Sequence, residues 1–433
     1  MKGEQEEKPP SKPPSSSLRI MEALGGRVPD WSCWKWQMRN LIRSPELVAK
    51  LLDLPVGELN LLQEVHRRYP ILVSPYYLSL IDPTDENDPI KRQAIPVYDE
   101  LLDSDGVYDP LAEEEDMPVE GLTHRYPDRV LLVLTNLCPT YCRFCTRKRI
   151  LGKCSRIVLH RNFSKALQYI REHTEIHDVI LSGGDPLTLP NSVLRRVLEE
   201  ISRIENVEII RLGTRAPVTL PMRFFDEELL DIIASCPKLW INTHFNHPRE
   251  FTPFSERAIR NILRAGVPVN NQTVLLKGVN DDLATMRELI RQLLKNRVRP
   301  YYLFHCDPTE GVNHFRTSLF KGLEIIEGLR GHISGLGVPT YVVDAPGGGG
   351  KIPIMPNYIL SASDDAVILR NYEGMIIKYY PEGKKEKPSN TPATTGISEL
   401  LETDKSAIVP NSERIERRRN YSGNGEPKDR DSI

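Results

Sequence analysis

Between residues 129 and 345 the chain alternates apolar runs of strand length with amphipathic runs of helix length, and this repeat constrains the fold more than any other feature. RVLLVLTNL, DVILSGG, VEIIRLGTR, LWINTHFN, VNNQTVLLKG, RPYYLFHC and VPTYVVDA read as strands. Between them FSKALQYIREHTE, NSVLRRVLEEISRI, DEELLDIIASC, SERAIRNILRAG, DLATMRELIRQLLKN and SLFKGLEIIEGLRG carry apolar residues at helical spacing. A helix between strands returns the chain to the same end of the sheet, so the strands run parallel and helices cover them. The repeat alone leaves open a full barrel, a partial barrel or a doubly wound sheet, α/β in every case. In all three a site belongs at the C-terminal ends of the strands, where the unusual residues of this chain do cluster.

Upstream, residues 18–120 show helical patterns (WKWQMRNLIRS, SPELVAKLLDL, LLQEVHRRYP) without clear strands and close in the acidic stretch DPLAEEEDMPVEG. The ends, 1–17 and 384–433, are polar and poor in aromatics and cannot bury enough surface to offset ordering entropy; both are expected to be disordered, although ISELLETDK is compatible with a short helix. Residues 358–383 read as a C-terminal segment packing on a 121–357 core. With 39% hydrophobic and 27% charged residues the chain is globular, and a net charge of −2 gives no basic field for nucleic acid. No run reaches the ~18 apolar residues of a membrane span. The first residues lack the apolar core of a signal peptide, so a cytoplasmic location is expected, where clustered cysteines hold metal more often than they form disulfides.

Three of the seven cysteines, Cys138, Cys142 and Cys145, crowd into CPTYCRFC after the first strand of the repeat and run into the cations of TRKR. Thiolates at this density suit iron–sulfur or zinc; structural zinc takes four ligands, whereas three thiolates leave one iron of a cubic cluster open. Cys154 is a candidate fourth ligand, so spacing alone keeps zinc in play. Arg147, Lys148 and Arg149 read as a solvated face, or, beside thiolates, as containing an anion-binding group. SGGDPL (182–187) offers glycines for close backbone approach to a ligand and Asp185 as an acceptor for a ligand ammonium, although an ordinary tight turn explains it equally well. GTRAP (213–217), NTHFNHP (242–248) and NNQTVLL (270–276) add hydrogen-bonding side chains at successive strand ends, which a shared pocket explains. DAPGGGGK (344–351) lies between apolar flanks, so its glycines are structured; Ile352 after the lysine argues against a nucleotide-binding loop. Lys351 at the end of such a hairpin suits a Schiff base with a carbonyl cofactor. Asp307 and Asp344 can serve acid–base work or bind a substrate cation, and spacing does not choose.

Together these motifs resemble one family. CxxxCxxC after one strand and GGD after the next is similar to radical S-adenosylmethionine enzymes, and HRYPDRV, CRFCTRKR, NTHFNHP, RPYY, HFRT and APGGGGK make residues 20–380 resemble the lysine 2,3-aminomutases. The resemblance implies a partial (β/α)6 radical SAM barrel behind a helical N-terminal region, and an isomerase that interconverts L-α-lysine and L-β-lysine. It implies a four-iron, four-sulfur cluster on Cys138, Cys142 and Cys145, S-adenosylmethionine chelated by the open iron, and pyridoxal phosphate on Lys351. On that scheme a donor such as a flavodoxin or ferredoxin reduces the cluster, and a 5'-deoxyadenosyl radical takes hydrogen from the β-carbon. Nitrogen then migrates, hydrogen returns at the α-carbon, and S-adenosylmethionine is regenerated. By the same resemblance Arg125 and Tyr126 lie near pyridoxal phosphate, and Arg147 pairs with the substrate carboxylate. Asp185, His244 and Gln272 belong to the S-adenosylmethionine neighbourhood, Arg215 and Arg223 contact phosphate or ribose, and Asp307 and Asp344 hold the distal ammonium of lysine.

Two acids facing a side-chain carboxylate would repel it, so a basic substrate is expected, lysine before arginine and glutamate last. Some members hold a structural zinc through cysteines near the C-terminus; no cysteine follows Cys306, so none is expected here. A homo-oligomer with no nucleic-acid or membrane partner is expected. A metal-stabilised nucleic-acid-binding module built on RFCTRKRILGK is the rival from another class, but near-zero net charge and GGGGK speak against it. An enzyme acting on a lysine within another protein fits the helical region and full-length barrel less well than one acting on a free amino acid.

Overall fold

The strands of the repeat pair in the order in which the sequence supplies them. In a computed structural model describing residues 15–150, 159–363, 366–380 and 407–408, β1 (Leu122–Tyr126) runs antiparallel to β2 (Arg129–Thr135). Then β3 (Asp178–Gly183), β4 (Ile209–Gly213), β5 (Leu239–Thr243), β6 (Val269–Leu275), β7 (Arg299–His305) and β8 (Thr340–Ala345) each join the preceding strand in parallel. β9 (Gly350–Pro353) returns antiparallel on β8. The parallel strands are apolar because helices cover one face and the interior fills the other: β2 and β7 bury Val130, Leu132, Leu134 and Leu303 almost completely.

Six crossovers lie between β2 and β8, as expected for a (β/α)6 unit. They contain α7 (Leu159–Glu172), α8 (Asn191–Ser202), the single turn α9 (Ala216–Thr219) with α10 (Glu227–Ala234), α11 (Pro253–Arg264), α12 (Leu283–Lys295) and α13 (Leu319–Leu329). Their sequences explain both their starts and their faces. In α12 the Asp282 side chain accepts from Thr285 N, and Met286, Leu289, Ile290 and Leu293 form one buried stripe. In α11 Thr252 caps with Pro253 in the first turn, and Ala258, Ile259 and Ile262 face inward. Each fully buried Leu or Ile stabilises by about 1.5–3 kcal/mol.

The sheet is a partial barrel. β1 and β9 form no backbone pair, yet the Lys351 amide in β9 donates to Tyr126 Oη in β1 at 2.8 Å, so the two edges meet through one side chain. No strand was expected before Arg129; the short, polar β1, LTHRY, gives no alternating apolar signal.

The helical region does not stand apart as a domain. Helices α1 (Ser15–Ala23), α2 (Trp34–Arg39), α3 (Pro45–Leu51), α4 (Val56–Arg68), α5 (Pro75–Leu78) and α6 (Pro89–Ala94) belong to the same compact unit as the barrel. Ile20, Trp31, Val48, Tyr77 and Ile90 share one buried cluster with Leu132, Leu181 and Ile210 of the strands. Helix α1 opens at Ser15, three residues inside the expected tail 1–17, and residues 1–14 lie outside the described residues.

A second unit consists of Arg330–His332 and the chain from Met355. It holds an antiparallel sheet of β10 (Ile359–Ala362), β11 (Val367–Arg370), β12 (Ile376–Tyr379) and β13 (Ala407–Ile408). The segment read as 358–383 therefore carries its own sheet, and two residues of the expected tail pair in β13. Cys154, ISELLETDK and the rest of the tails lie outside the described residues.

Candidate active site

A cavity of about 360 Å³ opens at the C-terminal ends of the strands, and in four of them alternate residues line it. Ile180 and Ser182, Arg211 and Gly213, Gln272 and Val274, Tyr302 and Phe304 point in as alternate residues of four strands. Cys138, Cys142 and Cys145 lie on the loop after β2. Burial pushes the Cys138 thiol well up, and burial together with Cys142 raises Cys145 to about 11. Without metal the thiols of Cys138 and Cys145 are therefore protonated, and a bound metal would displace those protons.

The GGD stretch secures the base of this loop. Gly184 N and Asp185 N donate to Thr135 O and Leu137 O at 2.5 and 2.8 Å. A Cβ on Gly183, whose φ is 138°, would lie 2.2 Å from Thr135 O, so the glycine is required by chain packing and not by ligand approach. Asp185 also has a part in this packing. Its carboxylate accepts from Thr214 Oγ1 at 2.7 and 2.8 Å, from Leu187 N at 3.0 Å and from Arg215 N at 2.9 Å, so it braces the strand ends while lining the cavity.

The cations after the cysteines are not a solvated face. Arg143 makes a two-point pair with Glu100 at 2.9 and 2.6 Å, and Lys148 Nζ joins the same carboxylate at 3.0 Å. Arg147 reaches Glu113 through Nε at 3.0 Å and Nη2 at 2.5 Å, while its Nη1 donates to Ser182 Oγ at 3.0 Å. Arg149 bridges Glu113, Asp109 and Glu114 at 3.1–3.2 Å. Burial works to raise the Glu113 carboxyl, but Arg147 and Arg149 hold it down at about 2. Lys148 and Arg149, expected on the surface, are thus largely covered, Lys148 by Glu100 and Gly311 O and Arg149 by the acidic stretch 109–116 folding onto it. Glu100 and Glu113 were not anticipated; the one sequence signal was the opposite charge of the two stretches.

At the rim formed by β5 and β6, His244 packs against the Phe144 ring at 5.4 Å, and its Nε2 is buried without a hydrogen-bond partner. Burial, with Arg215 beside it, pushes the imidazole down to about 3, so it is neutral. Gln272 lines the same cavity. Arg215 is not disposed toward phosphate or ribose: its guanidinium is spent on Tyr77, Gln93, Glu250, His244 O and the Cys142 sulfur. Arg223 is excluded more firmly. It does not line the cavity, and it is buried against Asp226, Asn191 and the carbonyls of Leu187 and Leu189.

The opposite end of the cavity is built by the β8–β9 hairpin. Register places Asp344 directly across from Lys351, whose Nζ lies 3.0 and 3.3 Å from the two carboxylate oxygens and 5.2 Å from the Phe304 ring centre. Asp307 lines the same end; burial and then Asp344 push its carboxyl up to about 7, against the pull of Lys351 and Arg316. Tyr126 and Arg125 come from β1. Arg125 Nε pairs with Asp116 at 2.7 Å, and the Arg129 guanidinium lies 4.0 Å over the Tyr126 ring. Arg129 and Arg211 also line the cavity, and the sequence reading had singled out neither. Their inward direction follows only from knowing where each strand starts.

A parallel barrel with three cysteines on the loop after its first parallel strand is the arrangement of radical S-adenosylmethionine enzymes, and the family model described as Radical SAM superfamily matches residues 132–290. A second model, described as Lysine-2,3-aminomutase, matches residues 326–432. The L-lysine 2,3-aminomutase of Clostridium subterminale is 50% identical over 351 residues, 81% of this chain and 84% of that protein. That of Bacillus subtilis (strain 168) is 44% identical over 412 residues, 92% and 87% of the two chains. A glutamate 2,3-aminomutase of Clostridioides difficile (strain 630) is 44% identical over 364 residues, 84% and 86%. The chain belongs to the lysine 2,3-aminomutase family of radical SAM isomerases.

Proposed function

We propose that this chain is an L-lysine 2,3-aminomutase, using a four-iron, four-sulfur cluster, S-adenosylmethionine and pyridoxal phosphate to interconvert L-α-lysine and L-β-lysine. The observation that carries the substrate is the pair of acids at the hairpin end: Asp307 and the almost buried Asp344 line the cavity with Lys351, whereas Arg316, the other cation acting on Asp307, is not a lining residue. At an effective dielectric of 20, two unit charges 4 Å apart interact by about 4 kcal/mol, which favours a distal ammonium there and disfavours a carboxylate by a similar amount. A glutamate substrate does not fit that end of the cavity.

The residues present fit the three groups. Cys138, Cys142 and Cys145 would hold the cluster; among the described residues no three His, Cys, Asp or Glu side chains converge on a single ion, and a cluster instead takes each thiolate on a different iron. His244, with its unpartnered Nε2, and Gln272 would meet the adenosyl cofactor. Lys351, Arg125, Tyr126 and Arg129 would hold pyridoxal phosphate beside the glycine turn, where a Cβ on Gly350 would come 2.9 Å from Tyr126 Oη. When bound, these groups supply a carbon-centred radical and a carbonyl that carries the migrating nitrogen.

The chain's own residues then divide the work. Arg147, fixed by Glu113 and Ser182, keeps unused N–H groups on Nη1 and Nη2 for the substrate carboxylate. Asp307 and Asp344 fix the far end, and Leu131, Ile180, Tyr301, Tyr302 and Phe304 wall the cavity against water. Lys351, whose Nζ rests on Asp344, would be the side chain to carry the carbonyl group. The reading includes a low-potential electron donor such as a flavodoxin or ferredoxin, a homo-oligomer and a cytoplasmic setting; no helix among the described residues is long and apolar enough to cross a membrane. Anaerobically reconstituted, reduced protein should convert lysine to its β-amino isomer at least 100-fold faster than arginine or glutamate. Glutamate turnover equal to that of lysine would overturn the assignment.

A further inference from the structure

Arg215 is held more completely than any role in binding a small ligand would require. Its Nη2 donates to Gln93 Oε1 at 2.6 Å, Glu250 Oε1 at 2.7 Å and Tyr77 Oη at 2.9 Å, and its Nε donates to His244 O at 3.2 Å. The rings of Tyr77 and Phe144 each lie 5.2 Å from the guanidinium carbon. Its partners are themselves fixed: Tyr77 Oη also donates to Glu250 Oε1 at 2.7 Å, and Glu250 Oε2 accepts from Asn246 N at 2.6 Å and His247 N at 3.1 Å. This framework draws on α5, α6 and the loop after β5, and it leaves one guanidinium nitrogen, Nη1, aimed at the Cys142 sulfur at 2.8 Å. Among the described residues Cys145 accepts from a neutral backbone donor, Arg147 N, at 3.4 Å. Cys142 thus has the charged one.

The structure assigns Arg215 a positioning role: it delivers a fixed, charge-assisted hydrogen bond to the Cys142 thiolate and thereby sets the reduction potential of the cluster that the family carries. Reduction adds one electron, supplied by the external reductant, and makes the cluster and its thiolates more negative without transferring an atom. A cation donating to one of those sulfurs stabilises the more negative state and raises the potential, and burial keeps water from screening it. A rigid donor does this without reorganisation, which accounts for the number of partners devoted to one side chain. The helical region thereby acts on the redox centre through Tyr77 and Gln93.

The test is an electron-paramagnetic-resonance redox titration of the reconstituted wild type, Arg215→Gln, Arg215→Lys and Tyr77→Phe, with iron content and thermal midpoint measured beside it. At the wild-type midpoint the reduced-to-oxidised ratio should fall about tenfold in Arg215→Gln, equivalent to about 59 mV for a one-electron couple. Tyr77→Phe, which loosens the guanidinium and leaves the cysteines untouched, should lower the ratio about threefold, with Arg215→Lys between the two. Iron content should stay at the wild-type level in Tyr77→Phe even if Arg215→Gln folds poorly. Ratios within twofold of wild type in iron-loaded variants would overturn the assignment, as would cluster loss in all three, which marks an anchor and not a tuner. A wild type without a cluster signal would overturn the proposed function as well, so the two failures are distinguishable.

Discussion

The cavity has two charged ends, and they are organised in opposite ways. At the cysteine end Arg143, Arg147, Lys148 and Arg149 meet Glu100, Glu113, Asp109 and Glu114, and the central pair is almost wholly buried, Arg143 at 3% and Glu100 at 0% exposure. At the hairpin end Asp307 and Asp344 face Lys351, whose side chain remains 33% exposed, and Arg316 acts more weakly on Asp307. The balanced network holds the cysteine loop in place and leaves the outer N–H groups of Arg147 for a ligand anion, whereas the acid-rich end is poised for an incoming cation. The same residue types thus build a scaffold or a site, depending on whether their charges balance.

The contrast can be broken first at the hairpin. Lys351→Ala should abolish the absorbance band of a lysine-bound pyridoxal phosphate and lower turnover on the order of 10³-fold or more, with iron content unchanged. Removing Glu100 tests the other end: Glu100→Ala leaves Arg143 and Lys148 buried and unpaired, and should cost about 3–5 kcal/mol in chemical denaturation. Equal stability would mean that the network is solvated after all. Asp307→Asn should raise the KM for lysine on the order of 30-fold or more while leaving cleavage of S-adenosylmethionine and cluster assembly near wild type. Collapse of cluster loading would place Asp307 in the scaffold instead.

The smallest effect is one of pH. With its carboxyl raised to about 7, Asp307 is ionised above that value and protonated below it, so the affinity for the lysine ammonium should be full at higher pH and weaken as pH falls through about 7. Because burial is the larger cause and Asp344 the second, Asp344→Asn should move the inflection down without restoring an ordinary carboxylate value. The pH dependence of KM checks this. An inflection that stayed in place would show that the two acids do not interact.

Much of this was legible beforehand, and the boundary is instructive. The strands from RVLLVLT to TYVVDA and the helices between them were readable because their signal is local, a period of 2 or 3.6 in neighbouring residues. Lys148 and Arg149 were misread because their partners lie 48 and 36 residues upstream, beyond the reach of periodicity. Asp185, Arg215 and Arg223 were assigned to ligands by the family resemblance. Asp185 and Arg215 do line the cavity but are also braced by protein partners, Thr214 and backbone amides for one and Glu250, Gln93 and Tyr77 for the other, whereas Arg223 is buried outside the cavity lining. Hydrogen-bond saturation is a property of assembled neighbours, and a strand end announces only that a residue is near the mouth.

The sequence by itself determined the parallel α/β architecture, the end of the sheet at which chemistry occurs, and the residue types available there, since hydrophobic period and residue chemistry are carried in the chain order. Tertiary structure alone decided that Asp344 faces Lys351, that Glu113 occupies one edge of Arg147, and that Arg215 points at Cys142. Those pairings require elements far apart in sequence to be brought within hydrogen-bond distance, and only the packed sheet, with the helical region set against it, brings them there.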